Sequence, residues 1–125
     1  MLDHVGIAVA DLKRALAFYD AALAPLGIAR AMQVPDDGDP VWVGYGQDRK
    51  PFSWVGDRRG PSGPIHVAFA APDRAAVQAF HAAALAAGGS DNGAPGLRLE
   101  YHPSYYGAFA LDPDGNNVEA VNHGP

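Results

Sequence analysis

The chain opens on a period-two pattern over residues 2–9, which predicts a β-strand with one buried face. One face is apolar and the other carries a histidine with two very small residues: Val5, Ile7 and Val9 against His4, Gly6 and Ala8. Asp11 then fits a helix N-cap, because its carboxylate can accept a hydrogen bond from a free backbone N–H. Apolar residues spaced by four, three and four follow as far as Leu23, and Pro25 and Gly27 end this predicted helix.

The same pattern returns 62 residues later without a gap. His4 corresponds to His66, and the further matching pairs are Asp11 with Asp73, Phe18 with Phe80, Leu23 with Leu85, and Gly27 with Gly89. Such a fixed offset in a chain of 125 residues indicates two copies of one structural unit. Two copies can face each other across a pseudo-twofold axis, so we expect His4 and His66 to converge there.

Strand-like segments separated by turns follow each predicted helix. The segments are 29–34, 41–46 and 52–56 in the first half, and 97–101, 105–111 and 116–121 in the second. Each half therefore reads as a βαβββ unit, one over residues 1–57 and the other over residues 64–122, within a single α+β domain. The Gly- and Pro-rich residues 56–64 are expected to link the units, and 90–96 to form a surface loop.

Composition narrows the functional classes. The formal net charge is −5, without a long basic run, which argues against nucleic acid or an anionic membrane as a partner. The chain has no cysteine, which excludes disulfides, thiolate metal sites and a cysteine nucleophile. The N-terminal residues do not resemble a signal peptide, and no apolar run approaches the ~20 residues that span a bilayer. We therefore expect a cytoplasmic protein.

Two histidines and one glutamate form the candidate metal site. Small neighbours beside His4 and His66 leave space for a cavity, and imidazole is a common ligand of transition metals. Glu119 lies in an apolar strand, where an unpaired carboxylate is costly and coordination to a cation removes the cost. The alternatives are hydrogen-bonded structural histidines and an ordinary edge-strand carboxylate.

The segment 101–106 brings three tyrosines and a histidine together. We expect His102 or Tyr106 to act as an acid or base, and Tyr101 and Tyr105 to contact substrate. Trp42 and Trp54 can supply flat walls for an aromatic ligand. Packing within the sheet is the alternative for the tyrosines, since aromatic residues favour strands. Of the two remaining histidines, His81 is expected to be a packing or surface residue and His123 to be solvated.

At this point the chain resembles the vicinal oxygen chelate superfamily, which includes glyoxalases, bleomycin resistance proteins and extradiol dioxygenases. The matching segments are His4-Val5-Gly6-Ile7-Ala8-Val9, Ala17-Phe18-Tyr19, His66-Val67-Ala68-Phe69 and the run from Asp112 to Glu119. The resemblance implies two βαβββ units that form a curved mixed sheet around a central cavity. It also implies a divalent cation (Zn, Ni, Fe, Mn or Co) on His4, His66 and Glu119, with Glu119 also acting in catalysis.

The implied function is lyase or isomerase chemistry of the glyoxalase type on a small oxygen-bearing metabolite, chelated through two adjacent oxygens. The sequence departs from the four-ligand pattern, because Trp54 or Val55 stands where the first unit would supply its carboxylate, and Asp57 is the nearest alternative. Two other functions therefore stay open: an extradiol-type dioxygenase with three ligands, and a resistance protein that binds a drug without turnover. By the same resemblance we expect a homodimer.

Overall fold

In a computed structural model, which describes residues 3–57 and 64–124, each half of the chain folds as one βαβββ unit. The first unit comprises β1 (Val5–Val9), α1 (Leu12–Leu23), a 3₁₀ turn (Ala24–Leu26), β2 (Ala29–Val34), β3 (Trp42–Gln47) and β4 (Lys50–Asp57). The second comprises β5 (His66–Ala70), α2 (Arg74–Ala86), β6 (Ser90–Leu97), β7 (Tyr106–Leu111) and β8 (Asn117–Asn122). The predicted α+β fold of two repeated units is confirmed.

Both helices begin as the sequence predicts. The carboxylate of Asp11 accepts from the backbone N–H of Arg14 at 3.1 Å, and that of Asp73 accepts from Ala76 at 2.7 Å. Gly27 ends the turn after α1 with a φ of 76°, a left-handed conformation that glycine adopts without steric cost.

One predicted loop is a strand. Residues 90–96 were expected to form a surface loop, but they belong to β6, whereas residues 98–101 lie beyond its end. β6 is an edge strand with two register shifts against β7, around Gly93 and Gly96. An edge strand needs only one hydrogen-bonded neighbour, so it accommodates glycines and Pro95 that would interrupt a central strand.

The described strands pair within each unit only. The orders are β1-β4-β3-β2 and β5-β8-β7-β6, and each sheet is mixed because its first strand runs parallel to its last. The expected mixed sheet consists of two four-stranded sheets, one from each unit, and β1 and β5 are edge strands. Most of the predicted linker, residues 58–63, lies outside the described residues, and Gly56 and Asp57 belong to β4.

A common hydrophobic core joins the two units. Alternate residues of both sheets turn towards the helices, α1 packs against α2, and the largest buried side chains are Tyr19, Tyr45, Phe18, Phe80, Ile7 and Leu23. The opposite side of each sheet, here called its outer face, carries the histidines and many small residues. No helix in the described residues is long and apolar enough to cross a membrane.

A buried turn fastens the second unit to the first. The Tyr19 hydroxyl on α1 donates to the Asp112 carboxylate at 2.8 Å, and the Asn116 side-chain amide donates to the same oxygen at 2.8 Å. Asp114 of this turn accepts from the backbone N–H of Ala10 at 3.1 Å. The turn between β7 and β8 thus also joins the two units.

Candidate functional site

Glu119 is a buried carboxylate on the outer face of the second sheet. It lies in the middle of β8 opposite Ala68 of β5, and only 2% of its surface is exposed. One of its oxygens lies 3.1 Å from Nε2 of His66, and the other accepts a hydrogen bond from the Tyr105 hydroxyl. The Tyr105 hydroxyl thus donates to a charge that would be costly to bury unpaired, and His66 lies next to its other oxygen.

The hydrogen bonds of His66 leave two acceptor atoms facing each other, one on His66 and one on Glu119. Nδ1 of His66 lies 3.0 Å from the backbone carbonyl oxygen of Asn117, which can only accept, so Nδ1 carries the ring hydrogen. In a neutral imidazole Nε2 is then an acceptor, and it faces a carboxylate oxygen that is also an acceptor. Either a second proton or a cation must lie between these two atoms.

The donor atoms fit a metal ion. Ligands at about 2.1 Å in neighbouring octahedral positions lie about 3 Å apart, which matches the separation of His66 Nε2 and Glu119 Oε1. A metal-binding histidine commonly donates its other ring hydrogen to a backbone carbonyl, as His66 does to Asn117. A cation held by these two residues would need further ligands.

Tyr105 holds Glu119 in place. Burial and the hydrogen bond to Glu119 raise the pKa of Tyr105 to about 12, although the nearby positive charge of Arg98 acts in the opposite direction. The phenol therefore stays protonated at neutral pH and remains a donor to the carboxylate.

Two aromatic side chains pack against the Tyr105 ring, and a third packs against one of them. Tyr101 and His123 meet its ring edge to face, with centroids 5.1 and 5.0 Å away, and His102 contacts His123 at 5.9 Å. Both His102 and His123 are exposed, so either can exchange protons with solvent. His102 thus lies at the edge of the Glu119 cluster without touching the carboxylate.

Trp54 occupies the equivalent position in the first sheet. Gly6 pairs with Trp54 as Ala68 pairs with Glu119, and Gly6 and Ala68 are related by the 62-residue repeat. This register decides between Trp54 and Val55, since Val55 is buried towards the helices.

The outer face of the first sheet is flat and aromatic. The Trp42 ring lies over Gly6 and Gly56, and the Trp54 ring lies over Gly44. A side chain at any of these three glycines would meet an indole. Trp42 and Trp54 thus form an aromatic floor where the second sheet has the Glu119 cluster.

His4 does not join His66 and Glu119 in a three-residue cluster among residues 3–57 and 64–124. Its Nδ1 lies 2.9 Å from Asp3, which Lys50 also contacts at 3.1 Å, and these contacts lower the pKa of Asp3. Beside His4 is a cavity of about 340 Å³ that runs along Val67–Ala70 and does not include His66 or Glu119. Within residues 3–57 and 64–124, no three histidine, aspartate or glutamate side chains come close enough to hold a metal ion. The expected convergence of His4 with the other two is thus not found in a single chain.

The placement of Tyr106 does not fit the expected catalytic role. Its hydroxyl accepts a hydrogen bond from Gln78 on α2 at 2.9 Å, and Arg74 lies over its ring at 4.9 Å. Tyr106 therefore faces the helix, whereas Tyr105 faces Glu119.

Sequence reasoning missed two residues of the Glu119 cluster, His123 and Phe109. His123 follows Asn117, Glu119 and Val121 in the period-two alternation of β8, which was a usable signal for its face. Phe109 follows Tyr105 in the same way, and His66 stacks nearly parallel to it at 25°. The position of Arg98 beside Phe109 depends on tertiary contacts, because Arg98 lies outside regular structure.

Comparison with known proteins decides the family. A family model described as the glyoxalase/bleomycin resistance protein/dioxygenase superfamily matches residues 1–120. This chain belongs to that superfamily. No curated protein matches the sequence.

Several solved structures share the fold. A glyoxalase/bleomycin resistance protein from Albidiferax ferrireducens T118 is 30% identical, covers 98% of both chains and has a TM-score of 0.78. A lactoylglutathione lyase from Agrobacterium tumefaciens is 21% identical, with 98% of this chain and 92% of that chain covered and a TM-score of 0.67. TioX from Micromonospora sp. ML1 is 15% identical, with 95% and 93% covered and a TM-score of 0.70. Superfamily membership thus agrees with the resemblance identified from the sequence motifs.

Proposed function

We propose that this protein is a metal-dependent lyase or isomerase of the glyoxalase type that acts on a small oxygen-bearing molecule. The observation that carries the proposal is the pair of acceptor atoms, His66 Nε2 and Glu119 Oε1, that face each other at 3.1 Å. A divalent cation satisfies both atoms and removes the cost of burying Glu119. The structural likeness to a lactoylglutathione lyase supports this class of reaction.

A second copy of the chain would complete the ligand set. β1 and β5 are edge strands with free backbone groups. The residues that follow the two site histidines on the same strand faces are small and mostly exposed. Pairing the first sheet of one copy with the second sheet of another would bring His4 of the partner subunit to His66 and Glu119. The same pairing would place the Trp42–Trp54 floor opposite the Glu119 cluster. A homodimer would thus contain two composite sites.

The residues of the chain have distinct tasks in this site. When bound, the cation would act as a Lewis acid towards two adjacent oxygens of the substrate. Tyr105 keeps Glu119 oriented through its hydrogen bond. The indoles of Trp42 and Trp54 would exclude water from one side of the substrate. His102 and His123 lie near enough to the cluster to pass protons between the site and solvent.

Metal analysis tests the proposal directly. Chain purified without chelator should bind Zn²⁺, Ni²⁺ or Co²⁺ at one ion per chain, and His66→Ala and Glu119→Gln should each abolish this binding. His81→Ala is the matched control, because His81 lies within α2 and contacts Asp91 of β6 rather than the Glu119 cluster. Binding that persists in Glu119→Gln would exclude this site.

Mixed dimers test whether the site is composite. His4→Ala and His66→Ala chains should each bind no metal alone. Unfolded together and refolded, they form hybrid dimers in which one of the two sites has both histidines, so about half of the sites in each hybrid should bind metal. A site contained within one chain would stay empty in every mixture. Native mass spectrometry distinguishes the two results.

Ligand binding without turnover is the second candidate. Trp54 in place of a carboxylate, together with Trp42, gives half of the composite site a flat apolar surface suited to an aromatic ligand. A planar aromatic dye bound with micromolar affinity by metal-free protein, with quenching of indole fluorescence, would favour this function. Tight binding that requires the metal would favour the enzyme.

A further inference from the structure

Arg98 is a positive charge that the fold holds beside the Glu119 cluster. Its guanidinium lies 5.4 Å from the centroid of the Phe109 ring, and the same ring stacks with His66 at a centroid distance of 6.3 Å. The backbone N–H of Arg98 also donates to the carbonyl oxygen of Tyr105 at 2.8 Å. Phe109 thus connects the guanidinium to one metal-ligand candidate, and Tyr105 connects it to the other.

The position of this guanidinium is built into β6. Its Nη2 donates to the backbone carbonyl of Ala94 at 2.7 Å. A Cβ atom at Gly93 would lie 3.1 Å from Nη2, and one at Gly96 would lie 3.2 Å from Nη1. Both distances are tighter than ordinary contacts, so the absence of side chains at these two glycines makes room for the fork. Gly93, with a φ of 155°, also has a backbone conformation that side-chain-bearing residues rarely adopt.

Arg98 has no carboxylate partner within residues 3–57 and 64–124, although the chain has 14 acidic residues against 9 basic ones. Arg30, by contrast, forms a two-pronged ion pair with Asp20, at 2.8 and 2.7 Å. The backbone carbonyl of Ala94 accepts one N–H hydrogen of the Arg98 guanidinium. The other N–H groups of the guanidinium can therefore donate to an external anion. Glu119 does not fill this role, because Tyr105 and His66 already contact its two oxygens.

We propose that Arg98 binds the carboxylate of a small organic acid, which directs the site towards anionic rather than neutral ligands. This inference rests on the proposed function only in placing the reacting end of the ligand at His66 and Glu119. The planar fork of arginine matches a carboxylate with two parallel hydrogen bonds. Because a single arginine lies beside a buried glutamate, the site favours a ligand with one negative charge over a phosphate ester with two.

Benzoate and benzamide provide the test, because they have the same shape and differ in charge. Each is titrated into metal-free protein, and binding is followed by NMR through the Nε–H resonance of Arg98. Benzoate should bind at least about tenfold more tightly than benzamide and shift that resonance. Arg98→Met should remove this preference by weakening benzoate alone. Arg74→Met is the matched control, since Arg74 also lies over an aromatic ring, but on the helix side of the sheet.

Each outcome bears on the inference. Equal affinity for the two probes, or an unchanged preference in Arg98→Met, would overturn it while leaving the metal proposal intact. Inorganic phosphate that displaces benzoate at lower concentration would also overturn it, in favour of a phosphate-bearing ligand. Selective benzoate binding by a protein that takes up no divalent metal would support the anion site and contradict the proposed enzyme.

Discussion

Trp54 and Glu119 occupy equivalent positions in the two units of one duplicated fold. Each lies opposite the residue two positions after a histidine, Gly6 after His4 and Ala68 after His66, so the backbone places both side chains on an outer face. The Glu119 carboxylate carries a buried charge, which must be neutralised or stabilised by a proton, a hydroxyl donor or a cation. The Trp54 side chain is a flat apolar ring over Gly44. The two halves have therefore kept the same architecture with different chemistry at the same position.

Trp54→Glu should restore a fourth ligand. In a composite dimer the new carboxylate would lie opposite Glu119, so Zn²⁺ affinity should rise at least about tenfold, as expected for an added charged ligand. Trp54→Phe is the control for lost indole packing and should leave the affinity within about twofold. Isothermal titration calorimetry measures both. Unchanged affinity in Trp54→Glu would show that the first sheet does not face the metal.

Tyr105→Phe should weaken metal binding while Tyr106→Phe should not. Loss of the Tyr105 hydroxyl leaves one oxygen of Glu119 without its donor, and removal of such orienting partners typically costs about 10–100-fold in metal affinity. Tyr106 donates nothing to this cluster, since its hydroxyl contacts Gln78. Competition with a fluorescent zinc chelator gives both values. Equal effects in the two variants would contradict the assigned faces.

Tyr19→Phe should destabilise the fold through the joint between the units. The change removes one donor from the buried Asp112 carboxylate, which costs about 1–3 kcal/mol. Tyr45→Phe provides the comparison, because its partner Asp20 lies partly in solvent and can recover a water. Urea unfolding followed by circular dichroism should therefore show the larger loss for Tyr19→Phe. The reverse order would argue against Asp112 as the joint.

Acid should remove the contribution of Asp20 to stability. Its partial burial raises the pKa of this carboxyl, but the hydrogen bonds from Arg30 and Tyr45 outweigh that effect and leave the pKa below its ordinary value. A lowered pKa in the folded state means that the contribution is present above the unfolded-state value and is lost as pH falls through the folded-state value. Asp20→Asn should therefore flatten the decline in melting temperature from about pH 5 to about pH 2. Arg30→Met should flatten it as well, and a decline unchanged in both variants would exclude this source.

The helices, most strands and the duplicated order were predictable because they depend on local alternation and on the repeat. β6 was not, because its Gly- and Pro-containing sequence matches a turn and only pairing with β7 makes it a strand. Glu119 and His66 were identified from chemistry and pattern. Strict alternation also separates Tyr105 from Tyr106, and of the two only Tyr105 contacts Glu119. The separation of His4 depends on how two sheets are arranged in space, which no local pattern encodes.

The presence of two unlike outer faces on every chain restricts how copies can assemble. Suppose that the first sheet of one copy pairs with the second sheet of the next. When two copies are related by a twofold axis, this contact forms twice and both outer faces of each copy are covered. The same contact repeated without closure would extend into an open filament. In the proposed dimer, the number of chains would thus depend on the geometry of one contact, which a closed pair makes twice.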